Sequence, residues 1–575
     1  MNTITSPEQQ PIESGPYANA GLAIMTTLSN YGIDTVFGIP GTHNLEFYRH
    51  LAPLGIHPVT SRHEQGAGYA ADGWAQQTGL PGVVITTSGP GLLNALSAAG
   101  TAYCESRPLL LLSPGPALGD EFADRGALHE TKDSTAAAGA IVEWSLRATS
   151  AEEAVEAIHR AFALFRGTRP RPVHLEVPLD VLEGPAALSS RLLAARPAPA
   201  PSPADDDAVA TAARLLAGAA RPVILAGGGS LPGRGALRAV AEALPAPVVT
   251  TLNGKGALPE SHPLSLGSDI RLPAAQVLCN DADVLLVVGS KVGEAELWGG
   301  DVAPRGTVIR VDILERQMDT NLSADVRLVG HSAAVLPQLF EAVRSALSEA
   351  ATAAALTDPD PRGSGLTARL SELRVELKDT GRAMAPDLAA LACEIQAAVP
   401  AGTIIAGDSS QITYFGTSTY IPQDEPHSFL YTPAYATLGY GLPAAIGAKV
   451  AAPERPVVAV VGDGALMFAV QEFATAVEQG LDLVVVCVDN GGYAEIKQNE
   501  ADRGIAPVGV DLRQPDWAAL ATAFGGYGVS VSDPAEVRPA VEQALAAGGV
   551  QLVHVPLGVF SGARRAEEPS DDTQG

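Results

Sequence analysis

Short runs rich in Val, Ile and Leu recur along the chain, separated by longer Ala-rich stretches, as in PVVAVV (456 to 461), AVQEFATAVEQG (469 to 480) and LDLVVVCVDN (481 to 490). Runs without polar alternation fit strands buried on both faces, and the intervening stretches fit crossover helices, so the pattern predicts parallel sheets covered on both sides. Two segments interrupt it: about 184 to 207, containing RPAPAPSPADDD, and about 350 to 384, where TDPDPRGSG breaks an Ala-rich helix. Read as linkers, they divide the chain into three doubly wound α/β domains at 15–185, 206–347 and 385–560. In such sheets ligands sit beyond the carboxyl ends of the strands, which makes polar residues just after an apolar run the first places to look for chemistry.

At 575 residues, the chain is too long for a single core. Its 64 acidic against 37 basic residues give a net charge of -27, which opposes nucleic acid and anionic membrane surfaces as partners. No apolar stretch reaches the roughly 20 residues of a membrane helix, and the opening MNTITSPEQQPIESG lacks a basic head and apolar core, so a cytoplasmic protein with a flexible lead-in is expected. Cys104, Cys279, Cys393 and Cys487 form no CxxC pair, which argues against a disulfide framework or zinc site.

Two strand ends carry oxygen ligands. PVVAVV runs into Gly462-Asp463-Gly464, and the next strand runs into Asp489-Asn490-Gly491-Gly492-Tyr493. Asp463 and Asn490 are 27 positions apart, which suits neighbouring strand ends joined by one crossover helix. A hard oxygen pair of this kind suits magnesium, which fills its remaining positions with water and phosphate oxygens. Gly464 permits close backbone approach, and a helix beginning near Ala465 would turn N–H groups toward a diphosphate. Either motif alone also serves as a tight turn.

In the first third, strand-like HPVTS leads to Arg62-His63-Glu64-Gln65-Gly66-Ala67-Gly68 at a helix start. A first-turn glutamate can simply complement the helix dipole. Two further Gly- and Pro-rich turns follow apolar runs here, Gly38-Ile39-Pro40-Gly41-Thr42-His43-Asn44 and Thr87-Ser88-Gly89-Pro90-Gly91, so that three strand ends meet one cleft.

With these motifs in place, the chain from about 17 to 560 resembles the thiamine-diphosphate-dependent 2-oxo acid decarboxylase and acetolactate synthase family. The resemblance implies pyrimidine-binding, central and diphosphate-binding domains, with thiamine diphosphate and Mg2+ as cofactors. It implies magnesium on Asp463, Asn490 and the Gly492 carbonyl, and cofactor contacts at Gly89, Pro90, Gly462, Gly464, Ala465 and Tyr493. Glu64 would hydrogen-bond the aminopyrimidine ring and activate the cofactor. The segment Ala436-Thr437-Leu438-Gly439 resembles the one that bends the cofactor, with Leu438 as the wedge and the Ala436 carbonyl receiving the exocyclic amine; an ordinary core leucine would look the same. The central AGGGS (226 to 230) lacks GxGxxG spacing, and no flavin is expected.

The segment Gly126-Ala127-Leu128-His129-Glu130-Thr131 has histidine where acetolactate synthases usually have glutamine. A histidine can act as an acid and release an aldehyde, whereas an amide cannot. His129 is therefore the expected proton donor, with Thr42 and His43 beside it; either histidine could instead be a hydrogen-bonded loop residue. GIPGTHNLEFY, ALHETKD, RPVHLEVPLDV, GDSSQ, GYAEIK and APVGVDLRQPDW most resemble the 5-guanidino-2-oxopentanoate decarboxylases, apart from Ala494, where glycine is usual. Glu495 and Glu130 are candidates to receive the guanidinium. Two alternatives stay open: carboligation of two 2-oxo acids, and a non-catalytic regulatory or assembly partner with the same fold. The resemblance also implies a homodimer or homotetramer, with each cofactor held between the first domain of one subunit and the third of another. The tail GARRAEEPSDDTQG reads as a solvated end.

Overall fold

The three apolar rhythms become three all-parallel sheets. The structure is a computed structural model that describes residues 18–354 and 365–561. The expected lead-in, the tail from 562 and residues 355–364 of the expected second linker lie outside the described residues. The chain forms two compact units, 1–199 and 200–575, and the division falls inside RPAPAPSPADDD.

In the first unit, β1 (Thr35–Gly38), β2 (His57–Thr60), β3 (Gly82–Ile85), β4 (Leu109–Gly115), β5 (Trp144–Arg147) and β6 (Val173–Pro178) pair in the order β2-β1-β3-β4-β6-β5. The sheet grows from β1 to β2 on one side and to β3 on the other, which opens a crevice between the ends of β1 and β3. The helices Glu64–Thr78 and Pro90–Glu105 cover it and meet closely at Gly68, where an added Cβ would lie 2.3 Å from Ala98 Cβ. That contact explains the glycine of RHEQGAG as a packing residue.

In the second unit, β7 (Pro222–Ala226), β8 (Val248–Thr250), β9 (Val284–Val288), β10 (Thr307–Asp312) and β11 (Val326–Val329) pair as β11-β10-β9-β7-β8. The third sheet follows: β12 (Ile404–Gly407), β13 (Phe429–Leu430), β14 (Val457–Gly462), β15 (Leu483–Asp489), β16 (Tyr527–Ser530) and β17 (Val550–Pro556), in the order β13-β12-β14-β15-β17-β16. Its switch point lies between β12 and β14. Every residue of β9 and of β14 is buried, as uninterrupted apolar runs require. Among the described residues no helix is long and apolar enough to cross a membrane, and all four cysteines are free thiols.

Two local elements take definite form. Residues 366–384, read as linker, form the helix Leu366–Met384, because Leu366, Leu370, Leu373 and Leu377 make a stripe that packs on the core beside β7 and β9. The helix expected near Ala465 begins at Asp463 and lasts one turn, Asp463–Leu466, before a second helix, Glu472–Glu478.

Candidate active site

In the first unit the order β2-β1-β3 brings the three Gly- and Pro-rich turns together at one carboxyl edge. Glu64 opens its helix behind the N-cap His63, whose Nδ1 accepts from the Gln65 N–H at 3.1 Å. The carboxyl is buried, at 8% exposure, and Asn94 Nδ2 donates to its Oε2 at 2.9 Å from the facing helix. Its other oxygen lies 3.2 Å from where a Cβ on Gly91 would stand, so the turn after β3 leaves that oxygen room. Burial and the Glu64 charge push the Tyr48 phenol well above its ordinary value, which keeps the hydroxyl protonated beside this carboxylate.

The two histidines gather at the turn after β3. His43 Nδ1 meets Ser88 Oγ at 2.7 Å, and the His43 and His129 rings are 5.3 Å apart in an edge-to-face arrangement. His129 Nδ1 faces Thr87 Oγ1 at 3.4 Å, and its backbone takes a left-handed φ of 60°. The His129 carbonyl would lie 2.3 Å from a Cβ at Gly89, so only glycine there lets the two segments touch. Burial and then His129 hold the His43 imidazole below its ordinary range, with Glu183 opposing. Thr42 is exposed in a turn that Asn44 closes, accepting the Gly41 N–H at 2.7 Å and donating to the Ile39 carbonyl at 2.9 Å. Pro90 starts the helix Pro90–Glu105. Glu130 accepts the backbone N–H groups of Arg125, Gly126 and Ala127, which lower its proton affinity, so its carboxylate shapes its own loop.

The second unit holds the oxygen ligands. Asp463, at 1% exposure, has an Oδ2 with no hydrogen-bond partner, a state that costs about 1–3 kcal/mol for a buried acceptor. The Asn490 amide lies 3.1 Å from both Asp463 Oδ1 and the Gly492 carbonyl. In one amide orientation its nitrogen donates to both; in the other, three oxygens converge. Burial and then the Asp489 charge push the Asp463 carboxyl up to about 6, a rise that a bound cation would reverse. The orphaned oxygen and the convergent set fit a hard divalent ion.

The surrounding turns are close-packed. A Cβ on Gly464 would come within 2.9 Å of the Tyr493 ring, and one on Gly462 within 2.9 Å of Ser410 Cβ. Ala465 is buried in the one-turn helix. Ala436 takes a left-handed φ of 53° in an exposed turn, and Leu438 is half-buried. This loop is tied down by Asp408, which the sequence reading did not single out: its Oδ1 accepts the Tyr440 N–H at 2.8 Å, and the Gly441 and Gly439 N–H groups also face it. Asp489 is likewise engaged, accepting the Gly491 N–H at 2.9 Å and meeting His554 Nε2 at 3.0 Å. Asp408 follows an apolar run just as Asp463 does, so the same rule could have found it; Asn94 left no such signal.

Three family models match the chain in succession. They are the thiamine pyrophosphate enzyme N-terminal TPP binding domain over 18–137, the central domain over 209–339 and the C-terminal TPP binding domain over 411–555. The chain is 38% identical to a probable 2-ketoarginine decarboxylase of Pseudomonas aeruginosa, over 95% of each protein. It is 30% identical to a probable acetolactate synthase large subunit of Methanocaldococcus jannaschii, over 93% of this chain and 91% of that one. It is also 29% identical to acetolactate synthase isozyme 3 large subunit of Escherichia coli, over 91% of each.

Proposed function

Because the chain belongs to the thiamine pyrophosphate enzyme family, we propose that it decarboxylates a 2-oxo acid to the aldehyde and carbon dioxide, with 5-guanidino-2-oxopentanoate as substrate. The observation that carries this reading is the pair of imidazoles, His43 and His129, 5.3 Å apart at the same strand-end cleft as Glu64. A proton donor there is what separates simple decarboxylation from ligation. The name of the 38% identical relative supports the same choice.

Asp463, Asn490 and the Gly492 carbonyl would hold Mg2+, and the turns at Gly462, Gly464, Ala465 and Tyr493 would receive the diphosphate. Gly89, Pro90, Ala436 and Leu438 would line the rest of the cofactor. When bound, thiamine diphosphate supplies an electron sink for the pair left behind by departing carbon dioxide. Glu64, fixed by Asn94, would hold a proton at the cofactor's pyrimidine ring. His129 would deliver a proton from Nε2, its Nδ1 being turned to Thr87, to the carbon that has lost its carboxylate. His43, braced by Ser88, and Thr42 would position the reacting end.

The assembly on this reading is a homodimer or homotetramer in the cytoplasm, without nucleic acid or membrane partners, which light scattering of the purified chain checks. A second reading is carboligation, favoured by the two acetolactate synthase relatives at about 30% identity. Incubation with 5-guanidino-2-oxopentanoate and with pyruvate, followed by product identification, tests both. The shortened aldehyde is expected from the first acid; a 2-hydroxy-2-methyl-3-oxo acid from pyruvate, with no aldehyde from either, would replace decarboxylation by ligation.

A further inference from the structure

A cationic substrate needs a carboxylate at the cleft, and most acids at the carboxyl edge of the third sheet are already engaged. Asp463 faces Asn490, Asp489 holds the Gly491 N–H and His554, and Asp408 is buried beneath the Tyr440 loop. Asp511 pairs with Lys497 at 2.6 Å, and Asp502 accepts from Gln498 at 2.7 Å. In the first unit, Glu130 is committed to three backbone N–H groups.

Glu495 differs. It lies in the first turn of the helix Ala494–Asp502, five positions after Asn490, and is half-buried. Its Oε2 accepts from Gln411 Nε2 at 3.1 Å, while among the described residues its Oε1 takes part in no hydrogen bond. Gln411 follows Ser410, whose Cβ borders Gly462, so the Gln411–Glu495 bridge runs along the rim of the metal-ligand crevice. Just beyond Gln411 the chain makes a π-helical turn, Ile412–Thr417, a rare conformation often found at functional sites. That turn carries Tyr414, close enough for the Glu495 charge to act on its phenol. The Tyr414 ring is itself packed among Trp298, Phe415 and Tyr431.

We propose that Glu495, braced by Gln411, reads the far end of the substrate and selects 2-oxo acids that carry a guanidinium group. This rests on the decarboxylase reading given above. A carboxylate accepts a guanidinium through paired charge-assisted hydrogen bonds. The Gln411 amide oxygen adds a further acceptor, and the chain's net charge of -27 draws cations toward it.

The test compares kcat/KM for 5-guanidino-2-oxopentanoate and for uncharged 2-oxohexanoate in the wild type, Glu495→Gln and Gln411→Ala. The wild type should prefer the guanidino acid. Glu495→Gln should lower kcat/KM for that acid about 30-fold, mainly through KM, and reduce the preference about tenfold or more. An equal loss on both substrates, or no loss, overturns the assignment. A wild type that decarboxylates 2-oxohexanoate but not the guanidino acid also overturns it, while leaving the decarboxylase reading intact; a wild type that decarboxylates neither defeats that reading instead. Should Glu495→Gln fail to bind thiamine diphosphate by calorimetry, Gln411→Ala decides, since a raised KM confined to the guanidino acid is expected and an unchanged KM refutes the role.

Discussion

The strand-end sites of the two units solve opposite electrostatic problems. In the first, the Glu64 carboxylate is buried but held, by Asn94 at 2.9 Å, and His43, Ser88, Thr87 and His129 at the same sheet edge are hydrogen-bonded or in ring contact. In the second, Asp463 is buried with one oxygen unmet, and the Asn490 amide crowds the other. One site can stand ready without a ligand; the other is completed only by a cation or a proton. On the proposed reading, proton-handling groups would sit where their orientation is fixed in advance, whereas the anchoring groups would carry a deficit that binding repays.

The largest effect is expected where that deficit lies. Asp463→Ala should reduce turnover about 10⁴-fold or more, since several kcal/mol of metal contact is lost with it. Calorimetry should find thiamine diphosphate binding gone in the presence of Mg2+. Glu64→Gln should break the comparison open from the other side, with turnover falling about 10³-fold, the scale of a lost acid–base group. Here binding should survive nearly unchanged. If Glu64→Gln instead abolished binding as Asp463→Ala does, the division between a ready site and an anchoring site would be wrong.

His129→Ala is expected to cost about 10²-fold in aldehyde release, less than Glu64→Gln because water can replace a final proton donor in part. Single-turnover product analysis checks it. Carbon dioxide release in the first turnover should be retained while aldehyde lags, and an unchanged aldehyde rate would remove His129 from the proposed mechanism.

The strands and the paired motifs after them were legible because a buried parallel strand admits no polar interruption, so the first oxygen-bearing residue after it marks the crevice. PVVAVV-Gly462-Asp463 and LVVVCV-Asp489-Asn490 announce themselves in this way. Side-chain direction was not legible. Gly407-Asp408 and Gly462-Asp463 are the same dipeptide at adjacent strand ends, yet Asp408 turns to backbone N–H groups of the loop above it while Asp463 turns to Asn490. The loop that decides between them lies some 30 residues downstream of Asp408 and only folding brings it there. Glu130 was ambiguous for the same reason, since a carboxylate that curls back onto its own loop looks, in residue order, like one free for a ligand. The bounds and packing of the helix Leu366–Met384 were not legible, because its four leucines at helical spacing are diluted among charged residues and follow a Pro- and Gly-rich run.

The smallest expected effect uses that pair of aspartates. Burial pushes the Asp408 carboxyl up to about 6, against the lowering pull of the Tyr440, Gly441 and Gly439 N–H groups. In the unfolded chain an aspartate titrates near 3.9, so between about pH 4 and pH 6 the folded state binds more protons than the unfolded one. Stability from this group is therefore greatest at the acid end and is lost as pH rises through the window, levelling off above about 6. Asparagine cannot titrate, so Asp408→Asn adds only a constant offset, and the contributions of all other groups cancel in the difference between the two proteins. Thermal unfolding of both, without Mg2+ or cofactor, at several pH values from 5 to 7.5 should find the wild type losing ground to the variant by on the order of 1–2 kcal/mol as pH rises. A difference that stays flat would mean that Asp408 is ionised throughout, and that its three backbone donors outweigh burial.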